Sequence, residues 1–158
     1  MSKFKTEIKW GVIFVVMSLG WMLLERLTGL HDEHIDKHFI YTNFIAIPAI
    51  AVYVFGLLDK RENDYNGVMN YSEGFLSGLL ITLVVTLFVP VTQYITLNII
   101  TPDFFPNMIE YVTRNDIMTR EAAENNFNAQ IYMMQGLIGA LLMGVLTSAV
   151  VAIFTRKS

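Results

Sequence analysis

The chain has 158 residues, of which 54% are hydrophobic and only 16% charged, with a formal net charge of −3 and a mean hydropathy of +0.47. Its length fits one domain over residues 1–158, and its composition is too apolar for a soluble domain of that size. The lack of cysteine excludes disulfides, thiolate metal sites and cysteine nucleophiles. No basic run exceeds two residues, so a nucleic-acid footprint is absent as well.

The apolar residues come in uncharged blocks, at 10–24, 39–58, 74–102 and 125–155. A helix needs about 20 apolar residues to cross a hydrocarbon core of about 30 Å. A soluble bundle would instead show polar residues at every outer turn. The blocks therefore predict an all-α, polytopic membrane protein with four transmembrane helices, over about 8–29, 39–58, 72–101 and 130–155. The first reaches spanning length only if Glu25 and Arg26 lie at the membrane edge, where Arg26 can snorkel. Pro48 should bend the second. The third exceeds the hydrocarbon thickness at about 1.5 Å per residue, so it should tilt, kink at Pro90 or protrude.

Lys3, Lys5, Lys9, Lys60, Arg61, Arg156 and Lys157 make seven basic residues on one side, against Arg26, Lys37, Arg114 and Arg120 on the other. The positive-inside rule then expects both termini in the cytoplasm. The N-terminal segment imitates a signal peptide, but it lacks a small-residue cleavage site and runs on into WMLLER, so it reads as an uncleaved first helix.

All three histidines fall in HDEHIDKH, residues 31–38, between the first two spans. His34 and His38 stand four apart and could meet on one helix face. Zinc, however, wants three or four ligands in fixed geometry with a supporting second shell, which a short turn hardly supplies. The stretch reads as a solvated turn with no metal site; a pH-responsive outer patch is the alternative. Between the third and fourth spans, residues 102–131 should form a helical extracytoplasmic cap. NMIEYVTR suits two helical turns, Asn115-Asp116 breaks them, and Thr119 is a candidate N-cap with Glu121 in the first turn. From there no breaker precedes Gly136, so the fourth helix should start near residue 120, outside the membrane.

The short basic N-terminus leading into the first span, DKRENDYNGVMNYSEGFLSG between helices two and three, and TPDFFPNMIEY followed by MTREAAENNF together resemble a bacterial four-helix membrane protein family of unknown function, domain of unknown function 4199. The resemblance covers nearly the whole chain. It implies a bacterial inner-membrane protein and no particular activity.

Polar residues within spans are functional candidates because lipid cannot satisfy them. Glu25, Asn43, Gln93 and Gln135, with Asn98 nearby, all fall in the outer half and suggest a polar intramembrane cluster. Interhelical hydrogen bonding is its simplest role and a ligand pocket the alternative. Small residues recur every fourth position, at Gly74, Gly78, Thr82 and Thr86 on the third helix and at Gly136, Ala140, Gly144, Ser148 and Ala152 on the fourth. Such stripes let helix backbones approach closely, either within one chain or across a homo-oligomer. No serine–histidine–acid set, P-loop or glycine-rich nucleotide motif occurs. The expectation is a non-enzymatic scaffold or partner-binding subunit in the lipid bilayer, without cofactor, associating with itself or with another membrane protein. An oligomeric transporter or channel for small solutes is the second reading. A metal-dependent enzyme at His31, His34 and His38 is a distant third.

Overall fold

The computed structural model describes residues 4–157; Lys3, counted above among the basic residues, and the remaining ends of the 1–158 domain lie outside the described residues. The helices are α1 (Lys5–Leu27), α2 (Ile35–Tyr41), α3 (Ala46–Asp64), α4 (Tyr71–Ile95), α5 (Phe104–Arg114), α6 (Arg120–Asn126) and α7 (Ala129–Thr155). A 3₁₀ turn, Thr42–Ile45, joins α2 to α3, and a π turn, Thr96–Ile100, extends α4. Four stretches are long and apolar enough to cross a membrane: α1, α2 with α3, α4 with its π turn, and α7. Leu27, Leu87 and Phe154 stand 78%, 69% and 80% exposed. Surfaces of that kind suit acyl chains and would promote association in water.

The second span differs from its sequence reading at both ends. It begins at Ile35 and runs to Asp64, so the connection to α4 shrinks to six residues, 65–70. Pro48 sits in the first turn of α3, where a missing N–H breaks little; the irregularity appears just before it, as the tightened 3₁₀ turn. The α3 C-terminus is held by the buried Lys60, whose Nζ lies 2.9 Å from Glu7 and 2.8 Å from Asp64. Asn66 and Gly67 then turn the chain with φ of 52° and 83°, the left-handed pair that a tight reversal demands. Asn70 and Glu73 close a reciprocal capping box that starts α4. The C-terminal strand of chain is fastened there too, by paired backbone hydrogen bonds between Met69 and Lys157.

The most extensive helix contact joins α4 to α7. Their small residues interlock within one chain. Gly74 faces Ala152, Gly78 faces Ser148, and a Cβ on Gly144 would overlap the Thr82 side chain; Ala140 is half-buried. The hydroxyls that line this seam satisfy themselves on their own helices, with Thr82 Oγ1 donating to Gly78 O at 2.9 Å and Ser148 Oγ to Gly144 O at 2.6 Å. Beside the seam Tyr53, Leu57, Ile81, Val85, Val151 and Ala152 form the main core, and the Tyr53 hydroxyl reaches Thr82 Oγ1 at 2.7 Å.

At the opposite end from Lys60, α5 and α6 cover the bundle. Phe104, Met108, Val112, Ala123 and Phe127 form a second core with Ile35 of α2. Thr119 caps α6 through the Ala122 N–H. The fourth spanning helix, Ala129–Thr155, does not continue back to residue 120. The helix breaks at Phe127 and Asn128, because Phe127 turns into the second core and the Asn128 side chain accepts from the Ile131 N–H at 3.0 Å, starting α7.

Replacing Gly144 with leucine should therefore lower the detergent-solubilised melting temperature, by an overpacking worth about 1–3 kcal/mol. Val145→Leu, one position around the helix at an exposed site, should change it little. Thermal unfolding of the two variants side by side checks this; equal tolerance would mean the seam organises nothing.

Candidate functional site

The last turn of α1 carries Glu25, whose side chain is fully buried. Trp21, one turn earlier, donates its indole N–H to Glu25 Oε1. Gly29 then adopts φ +77°, and the His34 N–H closes the turn on Gly29 O at 2.7 Å. This reversal folds Leu30 and His31 back over the helix end. His31 Nε2 comes to 3.0 Å from Glu25 Oε2. His38, on α2, brings Nδ1 to 3.9 Å from the same oxygen, too far for a hydrogen bond. Both imidazoles lean on Phe104 of α5, with ring centroids 5.2 and 5.0 Å away. Asn107 of α5 donates to His31 O at 2.9 Å.

The reading of residues 31–38 as a solvated turn is therefore corrected. His31 is only 4% exposed and His38 is largely covered, while His34 alone faces outward. The pair four apart, His34 and His38, does not meet; His31 and His38 do, at a ring separation of 5.3 Å. The physical reason is the cover: the α5–α6 hairpin lies over α2 and removes two of the three imidazoles from solvent.

Beneath the histidines opens a cavity of about 260 Å³. Its polar lining comes from Ser18, Thr42, Thr92, Gln93, Thr96 and Thr101, and Phe104 and Tyr132 roof it with the histidines. Two features of α4 produce it. Pro90 lies inside the helix and has no N–H to give to the carbonyl of Thr86. The π turn then inserts an extra residue, with the Thr101 N–H reaching back five positions to Thr96 O at 2.8 Å; such turns recur where a helix must redirect side chains toward a site. Arg26 donates to Ile100 O and ties the π turn to α1.

Of the polar residues expected to cluster, the structure brings Glu25 and Gln93 to this cavity, Gln93 in its wall and Glu25 behind the histidines. The others are turned away, which corrects the expected set. Asn43 is exposed and donates to Phe39 O at 2.7 Å, Asn98 is exposed on Tyr94 O at 3.0 Å, and Gln135 is exposed. Asn43 and Gln135 each neighbour a position that does face inward, Thr42 in the cavity wall and Gly136 against Gln93. One residue along a helix is about 100° of rotation, enough to send a side chain to lipid. Sequence reasoning missed the threonines of the cavity, because a hydroxyl on an apolar helix ordinarily satisfies itself on its own backbone. It also missed Trp21, whose position four before Glu25 was a readable signal.

What the fold and site define is an all-helical chain with four membrane-length helices and, at one end, a buried carboxylate–imidazole cluster over a small cavity of mixed lining. The chain belongs to the family described as protein of unknown function (DUF4199), which it matches over residues 9–157. No curated protein and no solved structure matches it.

Removing one partner of a buried hydrogen bond leaves the other unsatisfied, at a cost of about 1–3 kcal/mol and more where the stranded group is a carboxylate. His31→Ala should accordingly lower the melting temperature steeply, whereas His34→Ala should leave it unchanged. Melting curves of the two purified variants read the difference, and equal behaviour would put His31 in solvent.

Proposed function

We propose that the chain is a non-enzymatic binding subunit of the bacterial inner membrane, with both termini in the cytoplasm and the α5–α6 hairpin as an extracytoplasmic cap. Its ligand is a small polar solute or ion that enters the cavity at the capped end. The observation that carries this reading is the cavity itself, a chamber of mixed lining that two largely covered histidines and several hydroxyls face, inside membrane-length helices. Intramembrane ionisable residues are kept where they bind or relay something. The volume falls just below the range of about 300–1,000 Å³ usual for small-molecule pockets, which favours a compact ligand.

Two further observations support binding without chemistry or conduction. Two hydroxyls of the cavity wall are engaged on their own helices, Ser18 with Val15 O at 2.8 Å and Thr92 with Val89 O at 3.0 Å, and a third, Thr42, hydrogen-bonds Glu25, so none of these three is offered to an imidazole base. Toward the other end the bundle is closed by the main core and by the contact of Thr82 with Gly144. The chamber is thus a dead end within one chain, and a transport path would have to run between copies. The orientation rests on the basic residues, since Lys5, Lys9, Lys60, Arg61, Arg156 and Lys157 all gather at the uncapped end.

Glu110→Cys, in the cap, should label with a membrane-impermeant thiol reagent from the outer side, and Asn63→Cys should not. Labelling of Asn63→Cys alone would reverse the orientation. For the cavity, a polar wall kept for a ligand is a cost to the free protein, so Gln93→Leu should stabilise the fold by about 0.5–2 kcal/mol, read as a higher melting temperature. A fall would mean that the Gln93 amide is structural and the cavity takes no ligand.

A further inference from the structure

We infer that Glu25, His31 and His38 form a binding site for one divalent transition-metal cation of the zinc class, facing the cavity. The inference rests on the reading of that cavity as a binding site and names its ligand class. One ligand atom from each residue lies within 4.8 Å of the others. The two distances to Glu25 Oε2, 3.0 and 3.9 Å, bracket the ligand–ligand edge of roughly 3.3 Å that a tetrahedron with metal–ligand bonds near 2.0–2.1 Å requires. The remaining edge, between the two imidazole nitrogens, lies within 4.8 Å, so the two rings would draw together by about 1.5 Å to seat the ion at the edge that those bond lengths require. Two imidazoles and one carboxylate are the donor set of three-ligand zinc sites that leave a fourth position open, and here the open side is the cavity.

The surroundings argue the same way. Glu25 is fully buried, yet among the described residues its charged-group neighbours are only the two histidines. A buried carboxylate without a cation is costly, and a divalent ion held between it and the two imidazoles removes that cost. His38 Nδ1 is buried and has no hydrogen-bond partner among the described residues, although it points at the carboxylate. Trp21 holds the other carboxylate oxygen and Asn107 holds the His31 backbone, as outer-shell groups do when they fix the direction of metal ligands. Phe104 supplies the apolar wall that keeps water from competing. His34, exposed and outside this arrangement, takes no part.

The test uses the purified full chain in detergent, stripped with a chelator and titrated with zinc chloride alone and, separately, cobalt chloride alone. One equivalent of zinc should bind per chain and raise the melting temperature, because an ion that binds only the folded state stabilises it. Cobalt should give the intense visible absorption of a four-coordinate centre. His38→Gln should weaken zinc binding at least about 100-fold, Trp21→Phe by roughly 10- to 100-fold, and His34→Ala not at all. Circular dichroism shows whether each variant is folded, and the wild-type titration decides the matter even if one is not. Less than a tenth of an equivalent on the wild type would overturn the site, as would binding that survives His38→Gln in folded protein or is lost with His34→Ala. The Gln93→Leu result is independent of metal, so a cavity that binds some other ligand remains distinguishable from a cavity that binds none.

Discussion

The close approach of α4 and α7 sets the shape of everything around it. Between apolar helices in lipid there is no hydrophobic force to draw them together, so association comes from dispersion across backbones that can touch. Glycine against serine, alanine and threonine permits that contact at Gly78, Gly74 and Gly144. Toward the capped end the pairing changes in kind: Gly136 meets not another small residue but the long side chain of Gln93. The seam that is tight at Ser148 is propped by a glutamine three to four turns away. Tyr53, Ile81 and Val85 fill the space beside the tight part, and the propped part borders the cavity. A closed half and an open half thus follow from one gradient in side-chain size along a single helix pair.

The open half is tolerable only because it is roofed. Without α5 and α6, Glu25 at the end of α1 would lie open at the end of the bundle. Instead Phe104, Met108, Val112, Ala123 and Phe127 build a small soluble-type core over it, and the roof places two histidines against the carboxylate. A bundle needs no such cap to be stable in a bilayer, since its backbone polar groups are satisfied within each helix. The cap covers the ionisable cluster, and Phe104, which packs on both imidazoles, ties α5 to the groups buried beneath it.

Much of this was readable from residues taken in order. The four spans follow from block length, the start of α6 from Thr119, and the small-residue stripes from their four-residue step. What escaped was everything set by contacts between distant segments. HDEHIDKH reads as a solvated turn because nothing within eight residues could bury it; the groups that do so, Phe104 and Asn107, lie some 70 positions later. The polar cluster was half legible because depth in the membrane can be counted along a helix, whereas rotation about its axis cannot be assigned without knowing the partner. Glu25 and Gln93 turn inward and Asn43 and Gln135 do not, a difference of one residue in register. The break at Phe127 was hidden for the same reason, as phenylalanine is no helix breaker until a second core claims its side chain.

Each end of the bundle buries a carboxylate, and the two are treated differently. At the uncapped end Glu7 is met by the ammonium of Lys60 at 2.9 Å, with Asp64 sharing that charge at 2.8 Å. Two acids and one permanent cation make a locked structural set, anchored further by Arg61 on Thr155 O. At the capped end Glu25 is buried at least as deeply, and a lysine or arginine in place of either histidine would have neutralised it in the same way. Arg26 stands next in sequence but spends its guanidinium on the π turn instead. The chain thus holds a full cation within one residue of Glu25 and directs it elsewhere, leaving the carboxylate to imidazoles that carry charge only conditionally and that bind metal when neutral. A carboxylate needed only for stability is served better by the first arrangement; the second suits one whose partner must come and go.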